Sequence, residues 1–292
     1  MPGPDWEERI SRDTNPAIRI EHDVRYRLAV PVIRESAVWC DLGCGNGIAA
    51  ASALGGPFGG RAVLVDIADD ALGQAERAIQ AERTVTLLAD LAAEVDVRRV
   101  RDALLEEDVG GGCITCFEVV EHLTSFVPLV DALVELAENY GFTVALSVPN
   151  DAFWSIENPF HHTTWGEGAF EELRRLLPQD HVVAHQFALH GSLTWIDGDQ
   201  LEHHTIKLDP PAGTAPTHFL VGLGPGAARL AGAAAVGPAD LVEERRWQRQ
   251  RESDLAFLQS LEAQLSEWRA YIHELEGRLG LPLSGTGDDG AP

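Results

Sequence analysis

Two carboxylates and a histidine stand close together at Glu118, Glu121 and His122, within Phe117-Glu-Val-Val-Glu-His-Leu123. Two further histidines, His161 and His162, lie in an irregular aromatic stretch over 151–165. Groups of these types move protons. An unperturbed imidazole titrates near neutrality, so His122 or His161, with Glu121 beside them, suits general-base removal of a proton from a hydroxyl. The same side chains are hard oxygen and nitrogen donors. Glu118, Glu121, His122 and His161 together could hold a divalent cation, which would acidify a bound hydroxyl. A capping role for Glu121 and His122 on the following helix is the plainer alternative.

These residues follow an apolar run, Cys113 to Phe117, which reads as a buried strand. Three other apolar runs also end in an acid. Val38-Trp-Cys ends at Asp41, Arg61-Ala-Val-Leu-Val65 at Asp66, and Val85 to Ala89 at Asp90-Leu91. After Asp41, glycines alternate at Gly43, Gly45 and Gly47, around Asn46, and a helical segment begins at Ile48. Strand, glycine-rich turn, helix is an arrangement in which a ligand can lie against bare backbone. The acid ending the second strand, Asp66, with Ile67 after it, stands where dinucleotide-binding folds place a carboxylate for ribose hydroxyls. In an open α/β sheet ligands bind beyond the carboxyl ends of the strands, so all four acids are expected to face one crevice. Asp41 beside the glycine turn would repel a pyrophosphate and suits a cationic amino-acid moiety.

At these residues the chain resembles class I S-adenosylmethionine-dependent methyltransferases. Asp41-Leu-Gly-Cys-Gly-Asn-Gly47 is similar to their first motif, Asp66 to the ribose-binding acid, Asp90-Leu91 to the adenine-side motif, and Phe117 to Leu123 to the segment after strand four. The resemblance covers roughly residues 18–224. It implies S-adenosyl-L-methionine as cofactor, bound by Arg25, Asp41, Gly43, Gly45, Asn46, Gly47, Asp66, Ile67, Asp90, Leu91, Phe117 and Glu118. It also implies a Rossmann-like α/β fold of seven strands, the last inserted antiparallel between strands five and six. Within the family, Glu21-His22-x-x-Arg25-Tyr26-x-x-Ala29 resembles a segment found in a type 11/type 23-like subgroup associated with glycan pathways. That likeness implies O-methylation of a sugar hydroxyl. Residues 22, 25, 26 and 29 share one helical face. The face either closes over the cofactor, with Arg25 near its carboxylate, or packs on the sheet. Small-RNA 3′-terminal methyltransferases carry a similar Glu-x-x-Glu-His segment with a later histidine, and there the set holds a metal. Methyl transfer to N or C of another small molecule, or a non-catalytic scaffold, are the rival readings.

The elements that must position these groups can be read along the chain. A helix is expected around 20–29, then helices at 46–55, 69–82, 95–106, 126–139 and 167–177. Strand five is expected at 142–148, strand six at 181–189 and strand seven at 218–223. The connection 190–216, with Trp195, His203 and His204, is long enough to serve as a substrate lid. Residues 1–224 form the methyltransferase domain, 225–239 a Gly/Ala/Pro-rich linker, 240–279 a coiled-coil helix and 280–292 a disordered tail. Leu258, Leu265, Ile272 and Leu279 recur at heptad spacing, with Leu261, Trp268 and Leu275 at the interleaved position. Such a seam predicts self-association or docking to a partner enzyme.

Composition narrows the partners. The 292 residues carry 22 basic and 46 acidic side chains, a formal charge of −24, which repels a phosphate backbone and argues against nucleic acid as substrate. No apolar run reaches the ~18 residues a membrane span needs, and the N-terminus lacks the features of a signal peptide. Cys113 and Cys116 have metal-like spacing, but residues three apart on a strand point to opposite faces. Four cysteines without a second such pair therefore predict reduced core thiols and a cytoplasmic chain.

Overall fold

The computed structural model describes residues 16–106, 110–154, 158, 160–188 and 215–230, and helical positions 257, 260–261, 263–266, 268–273 and 275–279. The chain divides into two compact units, 1–237 and 238–292. All but the last two residues of the proposed lid over 190–216, most of the linker and the tail lie outside the described residues.

The first unit is built on seven strands: β1 (Val38–Leu42), β2 (Phe58–Asp66), β3 (Ala81–Leu88), β4 (Cys113–Phe117), β5 (Thr143–Pro149), β6 (Val182–Gln186) and β7 (His218–Leu223). Their spatial order is β3-β2-β1-β4-β5-β7-β6. β1 to β5 pair in parallel, and β7 runs antiparallel to both β5 and β6. This is the arrangement the resemblance implies. β1, β4 and β5 are buried along their whole length, as central parallel strands covered on both faces must be.

Among the described residues seven helices flank the sheet: α1 (Pro16–Glu35), α2 (Ile48–Leu54), α3 (Asp69–Ala78), α4 (Glu94–Leu105), α5 (Val127–Tyr140), α6 (Asp151–Trp154) and α7 (Glu167–Arg175). Two apolar clusters form the core. One gathers Val38, Cys40 and Leu42 with residues of α4, α5 and α7; the other gathers Trp39 and Cys113 with residues of α1, α2 and α3. Cys113 and Cys116 fall in different clusters, on opposite faces of β4, and all four cysteines are unpaired and buried. Among the described residues no helix is long and apolar enough to cross a membrane.

Several boundaries differ from those read off the sequence. α3 ends at Ala78, because β3 already begins at Ala81 and pairs there with Phe58. β2 starts three residues earlier than its apolar run, through Gly59 and Gly60; a Cβ on Gly60 would stand 2.5 Å from the Ala37 carbonyl oxygen. α1 continues through Pro31 to Glu35, and its C-terminal half packs Val32 and Ile33 into the second cluster. β6 ends at Gln186 and α7 at Arg175. The described part of the linker, 225–230, is folded: Gly226 donates its N–H to Thr143 Oγ1 at 2.9 Å, and a 3-10 turn follows over Ala227–Arg229.

In the second unit the described residues are helical, and Leu261, Leu265, Trp268, Ile272 and Leu279 of the heptad seam are exposed.

Candidate active site

The turn from β1 to α2 sets the first wall. Gly43, Gly45 and Gly47 all have left-handed φ, at +68°, +53° and +72°. Two of the three are glycine because neighbours crowd them as well. A Cβ on Gly43 would stand 2.4 Å from Val119 Cγ2, and one on Gly47 would stand 2.9 Å from Ala75 Cα on α3. Gly45 differs: among the described residues nothing lies within 4 Å of where its Cβ would be. The bare backbone there opens on free space. Its N–H is turned inward and donates to Asp66 Oδ2 at 2.9 Å, while Ala68 N–H donates to Oδ1 at 2.9 Å. Asp66 thus ties the glycine turn to the end of β2. Asn46 Oδ1 accepts from Ile48 N–H at 3.1 Å and shapes the start of α2.

Asp41 is placed differently from the expectation. Its side chain is fully buried, beneath the turn and not on a rim. Period-two alternation puts it on the same face as Trp39, against α1. Both its oxygens lie within 3.1 Å of the Tyr26 hydroxyl, and Thr115 Oγ1 donates to Oδ1 at 2.6 Å. Trp39 Nε1–H in turn donates to Thr115 Oγ1 at 2.9 Å. Burial pushes the Asp41 carboxyl up to about 7, against the opposing pull of the Thr115 and Tyr26 hydrogen bonds. The four acids therefore do not line one crevice. Asp90 is exposed and accepts from Ala92 N–H in its own turn, while Leu91 is buried. Ile67 presents an apolar side chain that is 62% exposed next to Asp66.

The end of β4 forms the second wall. Phe117 packs edge-on against Tyr26 at 5.0 Å. Glu118 has φ +55°, the one non-glycine residue with positive φ among those described. Its N–H donates to Ser147 Oγ at 3.3 Å, Ser147 Oγ–H donates to Oε1 at 2.9 Å, and His218 Nε2 lies 3.2 Å from Oε2. Burial alone would raise this carboxyl, but the Arg25 charge and then His218 outweigh it and hold it well below the usual range.

Arg25, from α1, is 1% exposed. Its Nη1 donates to Gln186 Oε1 at 3.2 Å, and Gln186 Nε2 donates to the Glu21 carbonyl at 3.2 Å, so the guanidinium is anchored to β6. Among the described residues its Nε and Nη2 have no hydrogen-bond partner. Burial, then the Arg25 charge, push neighbouring His22 down to about 3, so it is neutral. On this helix face Tyr26 and Ala29 pack into the core, as the packing alternative expects, and Arg25 is buried beside them.

A 3-10 turn, Val120–His122, then carries Glu121 and His122 to a third group. The Glu121 carbonyl accepts from His162 N–H at 2.8 Å, which docks the distant loop and brings His161 to His122, with ring centroids 5.0 Å apart. Donor atoms of Glu121, His122 and His161 all lie within 4.8 Å of one another. His122 Nδ1 is 3.3 Å from the Phe160 carbonyl oxygen, and His161 Nδ1 is 3.1 Å from Asp151 Oδ1. Both acceptors require Nδ1 to carry the proton, so each ring has its lone pair at Nε2. His161 Nε2 accepts from Asn158 Nδ2 at 3.0 Å. Glu121 is buried, its Oε2 has no hydrogen-bond partner among the described residues, and burial followed by the Glu118 charge lifts its carboxyl well above the ordinary range. Glu118 is not part of this group. Its carboxylate is committed to Ser147 and His218, which reduces the four-residue metal set of the sequence reading to three.

The β7 hairpin and the glycine turn after β1 together decide the architecture. It is the class I methyltransferase fold. No family model and no curated protein matches the chain. Among solved structures it is similar to a SAM-dependent methyltransferase from Archaeoglobus fulgidus, at 15% identity over 70% of this chain and 93% of that one, with a TM-score of 0.43. It is similar also to the methyltransferase domain of bacterial CtHen1, at 18% identity over 70% and 100% of the two chains, TM-score 0.43. A third is the plantazolicin methyltransferase BpumL solved with a triazolic desmethylPZN analogue and SAH, at 10% identity over 72% and 86%, TM-score 0.45.

In this methyltransferase fold the sequence reading missed Ser147, Asp151, Gln186 and His218. Ser147 lies opposite Phe117 in the β4–β5 register, and His218 opposite Pro149 in the β5–β7 register. Only strand pairing brings them to the site, and no local motif marks them.

Proposed function

We propose that the chain is an S-adenosylmethionine-dependent methyltransferase that methylates a hydroxyl of an uncharged, sugar-like acceptor. The observation that carries the reading is the open space over Gly45, with Asp66 bonded to that turn, while Glu118 and His122 follow β4 and His161 joins them from the loop after α6. The residues fit the cofactor. Bare backbone at Gly45 admits an extended chain, the Asp66 oxygens can accept from ribose hydroxyls, and Ile67 offers an apolar face to a flat base. The two unpartnered nitrogens of Arg25 suit a carboxylate. When bound, this cofactor supplies an electrophilic methyl group on a sulfonium.

The protein's own work is to hold the acceptor in line and take its proton. Nε2 of His122, or that of His161 once Asn158 Nδ2 no longer donates to it, accepts that proton as the acceptor oxygen bonds to the methyl carbon and the carbon–sulfur bond breaks. Asp151 and the Phe160 carbonyl keep the rings in the accepting tautomer and stabilise the imidazolium that forms. Glu121 is a second proton-bearing group in the same cluster.

A second reading rests on Glu121 Oε2. A buried carboxyl oxygen without a partner, beside two histidines whose Nδ1 atoms are pinned, is a donor set that suits a divalent cation. Such an ion would acidify the acceptor hydroxyl in place of a histidine base. A vicinal diol, as at the 3′ end of RNA, would then be the acceptor, against the repulsion expected from a charge of −24. Four unpaired buried thiols suit a reducing compartment, the cytoplasm. The exposed heptad positions within 240–279 suit self-association or a partner enzyme.

Calorimetric titration with S-adenosylhomocysteine tests the cofactor: saturable binding that is weakened in Asp66→Ala is expected, and an absence of binding would leave only a scaffold. Labelled methyl transfer to acceptor panels, with and without chelator, separates the two chemistries. His122→Ala should slow transfer about 100-fold or more while sparing cofactor affinity. Activity abolished by chelator and restored by manganese would select the cation reading.

A further inference from the structure

The described helical residues between 257 and 279 expose a continuous apolar stripe. With Leu265 counted as heptad position a, Leu261 and Trp268 are d positions and Ile272 is the next a. All four are exposed, Trp268 at 62%. Two aromatic residues widen the stripe. Phe257, which is 65% exposed, and Tyr271 both fall at g, and the Tyr271 ring lies edge-on to Trp268 at 6.4 Å. The small residues Ala263, Ala270 and Gly277 recur at f, on the side of the helix away from the seam. Large apolar side chains gathered on one exposed face mark an interaction surface.

Side-chain size and charge select what covers it. Two copies packed parallel and in register would place both Trp268 indoles in one d layer, which overfills that layer beside smaller Leu265 and Ile272 layers. Antiparallel pairing sets each a residue against a d residue instead. In the register that layers Leu265 on Trp268 of the second copy, Leu261 meets Ile272, and two-fold symmetry repeats each layer. Every indole then faces an aliphatic side chain. The flanking positions fit the same register. At g, Phe257 faces Arg278 of the second copy, a cation–π pair, and Gln264 faces the Tyr271 hydroxyl. At e, Arg269 faces position 262, which is a glutamate in the sequence and lies outside the described residues. A shift of one heptad, layering Trp268 on Ile272, would bring the two Arg269 guanidinium groups together. The opposite shift, layering Leu261 on Leu265, would set Ile272 and Leu275 against positions 254 and 251, an aspartate and an arginine.

We propose that the stripe over 257–279 is covered by the same stripe of a second copy of this chain, antiparallel, in the register that layers Leu265 on Trp268 and sets Phe257 against Arg278. This rests on the heptad reading of the second unit, to which it gives a partner, an orientation and a register, and it is independent of the methyltransferase reading.

The test uses the full chain. Sedimentation equilibrium should give twice the chain mass of 31.7 kDa. Trp268→Glu should raise the dimer dissociation constant about 100-fold or more, because two central anchors are lost together, while Ser266→Glu, at an outward b position, should leave it unchanged. Orientation is read by pulsed dipolar EPR on Ala263→Cys and Gly277→Cys, each labelled alone; the four native thiols are buried and take no label. Both sites are exposed f positions, so they share one lateral separation. At about 1.5 Å rise per residue, the proposed register offsets the two copies along the axis by about 10 Å at 263 and about 32 Å at 277. The 277 distance should therefore be about 10–15 Å the longer. Equal distances at the two sites, which a parallel dimer or the first shifted register gives, overturn the proposal, as does a gap above about 20 Å, which marks the opposite shift. A monomeric parent, or a Trp268→Glu variant that stays dimeric, overturns it as well. A parent that dimerises as described but does not bind S-adenosylhomocysteine would strike the methyltransferase reading and leave this one standing.

Discussion

Replacing Gly45 by alanine separates the demands of the fold from those of the ligand. The residue has φ +53°, so an L side chain costs about 1–2 kcal/mol in the folded state. No atom of the described residues lies within 4 Å of the added methyl, so no packing penalty is added. For a domain of this size the melting temperature should fall by only about 2–8 °C. The methyl would, however, project into the space assigned to the amino-acid end of the cofactor. Overfilling a close contact of this kind costs about 1–3 kcal/mol, or about 5- to 150-fold in affinity. Gly43→Ala is the comparison. It carries the same backbone cost, but its methyl would meet buried Val119 Cγ2 at 2.4 Å, and the two penalties together reach about 2–5 kcal/mol of stability. Thermal unfolding and calorimetric titration with S-adenosylhomocysteine should therefore rank the variants in opposite order, Gly43→Ala the less stable and Gly45→Ala the weaker binder per unit of stability lost. If Gly45→Ala binds S-adenosylhomocysteine as the parent does, the space over the turn is not where the ligand lies and the site has been misassigned.

Asp41 makes stability depend on pH with a definite sign. Burial raises its pKa from 3.8 to about 7, so the folded chain keeps a proton that the unfolded chain has lost. This contribution is complete below the unfolded value and is lost as pH rises toward 7, at up to about 1.4 kcal/mol per pH unit. Asp41→Asn has no such proton, and urea unfolding between about pH 4 and 7 should show a flatter profile than the parent; equal slopes would refute the assignment. Phe219 stacks on Phe170 at 4.6 Å between β7 and α7, and Phe219→Ala should cost about 3–5 kcal/mol in the same assay. A loss below about 1 kcal/mol would mean that the stack does not hold the hairpin. In the second unit, exposed Ile272 sits at a core position of the heptad seam, and Ile272→Asp should lower the mass seen in light scattering if the seam pairs two copies. A parent already at its monomer mass of 31.7 kDa would rule out self-association.

What could be read from the sequence was what is encoded locally. The glycine turn and the acid at the end of β2 depend on residues adjacent in the chain and stand where expected, whereas the strand order followed from the family resemblance. Edges were less legible. Gly59 and Gly60 interrupt an apolar run, yet pairing with β3 carries β2 through them. The helix expected around 20–29 continues through Pro31 to Glu35, because its later residues bury against the sheet. Asp41 illustrates a different limit. Its identity pointed to the cofactor, but its direction depends on which face α1 covers. Nothing in Asp41-Leu-Gly-Cys-Gly states that Tyr26 will lie over the carboxylate. His218 and Glu118 are further from being legible, since their pairing needs the antiparallel insertion of β7 beside β5 before the two residues are neighbours at all.

Glu118 explains how one strand end serves two walls. A non-glycine residue at φ +55° costs about 1–3 kcal/mol and persists only where its surroundings hold it. Here Ser147 grips both its N–H and its carboxylate, and His218 grips the other oxygen. The left-handed residue breaks the direction of β4 immediately after Phe117. Its own side chain is thereby sent toward β5 and β7, while the turn that follows sends Glu121 and His122 toward the loop that carries His161. In extended conformation the same residue would continue the strand, and the proton-accepting group would have no reason to meet the acceptor wall. The strain at Glu118 is offset by three hydrogen-bonding contacts and is the local cause of the site's two-sided shape.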